Sequence, residues 1–193
     1  MSLSIEGPKV DGRTGTRDMS QYLIDLGHRH ICYFDGPNIS SGSRINIAGY
    51  MDALEAFNKD NAETIQTQII RSNTASGDYY QIGATRCEEL LRMPGQRPTA
   101  IICYNDEMAL GVLKCLVDNG INVPDDISVA GTHDIRESRY STPTLTTTRL
   151  DKEEFGKRVV ELIVGVSGEI PDSNEQIVPE LVVRGSTGKP PLI

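Results

Sequence analysis

Residues 97 to 148 hold two short apolar runs joined by one amphipathic stretch, an order that leaves few folds open. The first run, Thr99 to Tyr104, is apolar and rich in β-branched residues behind Pro98, as expected of a strand covered on both faces. Asn105 and Asp106 interrupt it and suit a helix cap. Glu107 to Val117 then places Met108, Leu110, Val112, Leu113, Leu116 and Val117 on a broad apolar helical face, and Gly120 stops it. After Pro124-Asp125-Asp126, Ile127 to Ala130 forms a second buried strand ended by Gly131. Two strands joined by so long a connection pair in parallel through a right-handed crossover. Ligands gather beyond the carboxyl ends of such strands, so Asn105, Asp106, His133 and Asp134 are the first candidates for ligand contact.

The remainder of the chain repeats the same alternation. Asp11-Gly12 leads into a helix from about Thr14 to Leu26, with Met19, Tyr22, Leu23 and Leu26 along one side and Gly27 as its stop. His30 to Phe34 is a buried strand closed by Asp35-Gly36-Pro37, and a helix follows from Ser43 or Arg44 to about Asn58. Glu63 to Arg71 reads as a strand, Ser76 to Leu91 as a helix with Ile82, Cys87, Leu90 and Leu91 inward. Lys152 to Gly165 is amphipathic, Gly168 to Asn174 a polar loop, and Ile177 to Val183 the last strand. Met1 to Pro8 carries no periodicity and reads as an unstructured leader. The expected class is therefore α/β, with parallel sheets and flanking helices.

Charge and cysteine usage narrow the function. A formal net charge of −8 over 193 residues, without a basic stripe, argues against this polypeptide gripping a phosphate backbone by itself. No apolar stretch approaches the ~20 residues a bilayer needs, and no secretory signal pattern is visible, so a cytoplasmic location is the default. Cys32, Cys87, Cys103 and Cys115 are scattered, with no C-x-x-C and no histidine at ligand spacing, so reduced packing cysteines are expected and no metal or cofactor. His28 and His30 are expected in a surface turn, Met51 and Met108 in the core.

Taken together, PTAIICYNDEMALG, GINVPDDISVAG, the His133-Asp134-Ile135 triplet and the P-x-LTTT of Pro143 to Thr148 closely resemble the effector-binding domain of the LacI/GalR (lactose/galactose repressor) family. The likeness extends upstream through Leu26 to Ile31 and Arg44 to Tyr50, and downstream through Phe155-Gly156 to Leu181-Thr187. It implies a periplasmic-binding-protein-like fold with two interleaved subdomains, the N-terminal one incomplete. Residues 9–37 plus 146–168 would be its remnant, 38–145 plus 175–187 the C-terminal effector-binding subdomain, and 188–193 a tail. The helices around Leu23 and Val160 would then lose the sheet they cover, which predicts a dimer or larger assembly, or a poorly ordered N-terminus.

The resemblance also implies a cleft binding a sugar, a nucleoside or a phosphorylated derivative. Asp11 matches the family's first-subdomain aspartate and Asn105 its strand-end asparagine. The effector arginine falls on Asn46, with Arg44 two residues earlier, and the first strand-end aspartate falls on His133, with Asp134 matching the second. The sugar-stacking aromatic aligns with Asp78, and Tyr79 follows it. Replacing both a guanidinium and a carboxylate removes the usual grips on vicinal hydroxyls, while Arg44 or His133 could serve an anion. Against these stand bland alternatives: Arg44 as a solvated helix start, His133 as a turn residue bonded to backbone. The function implied is the effector-binding and dimerisation part of a bacterial transcriptional regulator, touching operator DNA only through a DNA-binding segment outside these residues. Dimer contacts are expected from the helix at Glu107 and the loop from Ile135 to Tyr140, and ligand binding by this chain alone is expected to be weak or absent. The alternative is a sugar-binding protein of a transport system. An enzyme is not expected, because no G-x-S-x-G elbow, phosphate loop or Cys/His cluster is present.

Overall fold

The computed structural model describes residues 7–37, 40–72, 77–164 and 176–192. Along the chain come β1 (Lys9–Val10), α1 (Gly12–Asp25), β2 (His30–Pro37), α2 (Ser41–Asp60), β3 (Gln66–Ser72), α3 (Tyr79–Arg92), β4 (Ala100–Cys103), α4 (Asp106–Asp118) and β5 (Ser128–Ala130). A 3-10 turn (Arg136–Arg139), β6 (Thr147–Arg149), α5 (Lys152–Val164), β7 (Gln176–Ile177) and β8 (Glu180–Val182) complete it. Four strands form one parallel sheet in the order β3-β2-β4-β5.

Alternation along β2 and β4 produces three layers, because successive strand side chains point to opposite faces. Cys32 and Phe34 of β2, with Ile101 and Cys103 of β4, pack beneath α3 and α4. Ile31, Tyr33, Ala100 and Ile102 take the other face, under Met19, Leu23 and Ile24 of α1 and Tyr50, Ala53 and Leu54 of α2. All four cysteines are buried in the first of these cores. Among the described residues no helix is long and apolar enough to cross a membrane.

Several expectations change. The resemblance puts the strand at His30, with its helix, in the N-terminal subdomain, yet β2 lies between β3 and β4 and exchanges hydrogen bonds with both. Continuous apolar character at residues 31–34 suits only such a central strand. Leu23 is accordingly fully buried and not stripped of cover, whereas Val160, Ile163 and Val164 of α5 are exposed, Ile163 by 74%. The single last strand expected over 177–183 is two. Pro179 has no N–H to donate to a ladder, and on either side of it β7 pairs in parallel with β1 while β8 runs antiparallel to β6. His28 is not a surface residue: it is fully buried, with Nδ1 2.8 Å from Thr99 Oγ1 and Nε2 2.9 Å from the Gly188 carbonyl. Burial lowers its pKa, so the neutral ring donates from Nε2 and accepts at Nδ1, joining the chain's end to the sheet. The expected leader, apart from Gly7 and Pro8, and the polar loop at 168–174 lie outside the described residues.

Helices α3 and α4 approach so closely that glycine is required on both sides. A Cβ at Gly83 would stand 2.1 Å from the Met108 carbonyl oxygen, and one at Gly111 would stand 2.0 Å from that of Tyr80. In an open helix, Gly→Ala stabilises by about 1 kcal/mol. Here Gly111→Ala should instead destabilise by about 2 kcal/mol or more through overpacking, read as a lower urea midpoint. An unchanged or raised midpoint would show that the helices do not meet at this contact.

Candidate functional site

The chain leaves β2 for the β3 edge and then returns to the other side of β2 for β4. Loops following β2 and β4 therefore part, and a crevice opens outside their carboxyl ends. A cleft of about 300 Å³ occupies this place. Gly12 and Thr16 of α1 and Ile45 and Asn46 of α2 form one side, Tyr104, Thr132 and His133 the other, with Val10, Thr148, Leu150 and Pro179 around the rim.

Local geometry explains each placement. A Cβ at Gly36 would stand 2.6 Å from Tyr104 Cγ, so the absence of a side chain there lets the Tyr104 ring lie across the end of β2. Tyr79 supports that ring from behind, with centroids 6.0 Å apart. Thr132 Oγ1 donates to the Tyr104 carbonyl (2.5 Å), and Asp106 N–H to that of Thr132 (3.0 Å), tying the loops after β4 and β5 together. His133 and Asp134 then take left-handed backbone angles, φ 102° and 47°. Such angles cost a side-chain-bearing residue roughly 1–3 kcal/mol, so other contacts must hold them.

Two buried carboxylates do so. Asp106, fully buried, accepts from Thr147 Oγ1 (2.6 Å), Ser138 Oγ (2.7 Å) and Ile135 N–H (2.9 Å), which joins α4 to the crossover and to the 3-10 turn. Burial raises its pKa against the pull of those donors. The Asp134 side chain accepts from Arg184 (2.5 Å) and Arg139 (2.9 Å), with Arg149 at 3.7 Å. Burial would raise this carboxyl, but hydrogen bonds and charge from Arg184 and Arg139 leave it below the ordinary value.

Of the seven residues singled out from sequence, Asn46 and His133 line the cleft. Asp11 instead caps α1, accepting from Thr14 N–H (2.9 Å) and Oγ1 (2.6 Å). Asn105 caps α4 through Met108 N–H (2.9 Å), Tyr79 packs behind Tyr104, and Asp134 is held in its arginine cluster beside the cleft. Arg44 is exposed and is not a lining residue. Tyr104, Gly12 and Thr16 carried no distinguishing signal: one ended an apolar run and the others began a helix.

Among the described residues, none that lines the cleft is Asp, Glu, Lys or Arg. His133 is solvent-exposed, yet crowding by the surrounding protein desolvates its ring enough to lower its pKa, partly opposed by Asp106, so the neutral imidazole is favoured at pH 7. The cleft thus offers a carboxamide, a neutral imidazole, hydroxyls and an aromatic face. Among the described residues no group of three His, Cys, Asp or Glu side chains is placed to hold a metal ion.

The profile of the periplasmic binding protein-like domain matches residues 20–187. The chain belongs to the LacI/GalR family. The HTH-type transcriptional repressor PurR of Vibrio campbellii is 32% identical over 175 residues, which cover 88% of this chain and 49% of that protein. A LacI-family regulatory protein from Chloroflexus aggregans superposes with a TM-score of 0.81 at 29% identity, covering 97% of this chain and 66% of that one. The lac repressor dimer bound to operator and an anti-inducer gives 0.78 at 29% identity, covering 93% and 59%. This LacI/GalR chain spans about half the length of the curated relatives it matches, and corresponds to their effector-binding domain.

Asp134→Asn removes the charge facing Arg184 and Arg139, so it should lower stability at pH 7 by about 1–2 kcal/mol, less than for a wholly buried pair because Arg139 is half exposed and can be solvated when left unpaired. A carboxyl whose folded pKa is depressed contributes stability above its unfolded value and loses it as pH falls through the lower folded one. The gap between wild type and variant should therefore close below about pH 4 in urea titrations. Equal stability at pH 7 would remove the cluster's structural role.

Proposed function

We propose that this chain is the small-molecule-sensing and self-associating part of a bacterial, cytoplasmic transcriptional regulator, and not a catalyst. Contact with operator DNA would come from a DNA-binding part outside these residues. Support for a binding role comes above all from the cleft at the switch point, whose polar groups converge without a nucleophile and base pair among them.

The uncharged lining favours a neutral ligand, a sugar or nucleoside, over a phosphorylated one. Arg44, the cation that could have met a phosphate, is not among the lining residues, and His133 is neutral at pH 7. Tyr104 offers a ring face and Asn46 and His133 the hydrogen bonds that orient a polar edge. Exposed Val160, Ile163 and Val164 on α5 would face a second lobe closing over the cleft, and differential affinity for open and closed states would carry the signal. In the open cleft of this chain by itself, ligands should be held weakly. Backbone amide NMR titration should show neutral nucleosides or sugars shifting residues around Asn46, Tyr104 and His133 at millimolar concentration, with their phosphorylated forms inactive. A preference for the phosphorylated forms would overturn the neutral-ligand assignment.

Self-association fits a groove of about 700 Å³ between α3, α4 and the 3-10 turn. Tyr80 and Leu110 line it with Tyr140, which is 75% exposed, and Lys114, Asp118, Arg136 and Glu137 rim it with both signs of charge. Aromatic residues inside a mixed-charge rim suit an isologous dimer. Sedimentation should show concentration-dependent dimers, weakened at least tenfold by Tyr140→Arg; a wild-type monomer would overturn self-association, and an unaffected variant would place the interface elsewhere.

A further inference from the structure

Beneath the cleft lie two buried polar atoms, Tyr33 Oη and Asp35 Oδ2, that have no hydrogen-bond partner among the described residues. Both residues are fully buried, and, two positions apart on β2, they share a face of the sheet. Asp35 Oδ1 is satisfied, accepting from Gly36 N–H (2.8 Å) and Ser43 Oγ (2.6 Å). Its second oxygen is left for whatever stands above it. A buried carboxylate oxygen without a donor costs stability, and an apolar residue at 35 would carry no such cost.

Asn46 of α2 is the polar group between this pair and the cleft. It sits one helical turn from Ser43, which donates to Asp35, and from Tyr50, whose ring centroid is 5.3 Å from that of Tyr33, and it opposes the upward push that burial and Asp35 give the Tyr33 phenol. Its Oδ1 end faces Gly12, 2.9 Å from where a Cβ would stand. Gly12 and Asn46 both line the cleft.

We propose that Tyr33 and Asp35 are positioning residues that hold the Asn46 carboxamide with its N–H end inward and its carbonyl toward the cleft, so that the site selects ligands presenting a hydrogen-bond donor there. The inference rests on the cleft being the ligand site. Its physical cause is the field of a carboxylate in a region of low dielectric, which attracts the positive NH₂ end of the amide and repels its carbonyl. An unanchored asparagine could turn either end to a ligand, whereas the anchored one offers an acceptor only. Ligands with an amine, amide N–H or hydroxyl at this point are matched, and those with a carbonyl are not.

In the ligand-free chain, the Asn46 side-chain NH₂ signals can be assigned by their loss in Asn46→Ala and followed by NMR. They should exchange with solvent at least tenfold more slowly than those of a surface asparagine. Tyr33→Phe and Asp35→Asn, close in shape to the originals, should each abolish that protection. Ser43→Ala, which removes a donor to the other oxygen of Asp35, should retain it, and the backbone spectrum reports folding of all three. Fast exchange in wild type, or protection unchanged in both variants, overturns the positioning role. Adenosine against inosine, and cytidine against uridine, differ by an amino or a carbonyl group and supply the second readout. Wild type should prefer the amino member of at least one pair about tenfold, and Asp35→Asn should lose the preference. Binding without a preference, or with one that survives in Asp35→Asn, overturns the selectivity. Failure of any neutral ligand to bind would count against the cleft as the ligand site, while amide exchange still decides the positioning role.

Discussion

Burial of the central strands on both faces is the constraint from which the other features follow. From Ile31 to Pro37 and from Ala100 to Cys103 no side chain has an exposed position, so neither face of the sheet can be left to water. Only helices on both sides satisfy this, and parallel pairing supplies them because each return crossing is itself a helix. Once β3 lies on one side of β2 and β4 on the other, the loops at their carboxyl ends must diverge. The cleft is the geometric result of that divergence.

Its contents depend on a less economical arrangement. The loop after β5 holds two adjacent residues with side chains at positive φ, a conformation that costs energy even for His and Asp, which tolerate it better than most. Asp106 and Asp134 offset this from opposite sides. One gathers the crossover, the 3-10 turn and α4 around a buried carboxylate; the other is held by arginines from the turn and from the segment after β8. Breaking a network of this kind leaves a buried charge exposed to no counterpart, so its members act together. Rigidity beside the cleft thus comes from charges that do not touch it.

Much of the architecture could be read along the chain. Helix starts at Asp11 and Asn105 followed cap chemistry, and in both the side-chain oxygen accepts from the backbone N–H three residues on. This success explains the failures in the candidate site. Asp11 and Asn105 looked like ligand contacts because acceptors at helix starts near strand ends suit both purposes, and one dimension cannot show which way an oxygen points. Misplacing the strand at His30 had a similar origin. An apolar run states that it is covered on both faces but not by which neighbours, since pairing partners lie 35 or more residues away. His28 was misread for the same reason: its partners, Thr99 and Gly188, are 71 and 160 positions distant.

Order and spacing of apolar segments determined the α/β class and the parallel crossover, because periodicity is a local property written into consecutive residues; the resemblance to the family rested on the ordered motifs themselves. The order of motifs also placed Asn46 and His133, the two departures from the family pattern that do line the cleft. Only the tertiary structure decided that the described lining of the cleft has no Asp, Glu, Lys or Arg, that Tyr104 forms its wall across a glycine, and that Asp35 Oδ2 and Tyr33 Oη are buried with no partner among the described residues. Each of these facts concerns the direction of a side chain relative to residues far off in sequence, and direction is settled by packing.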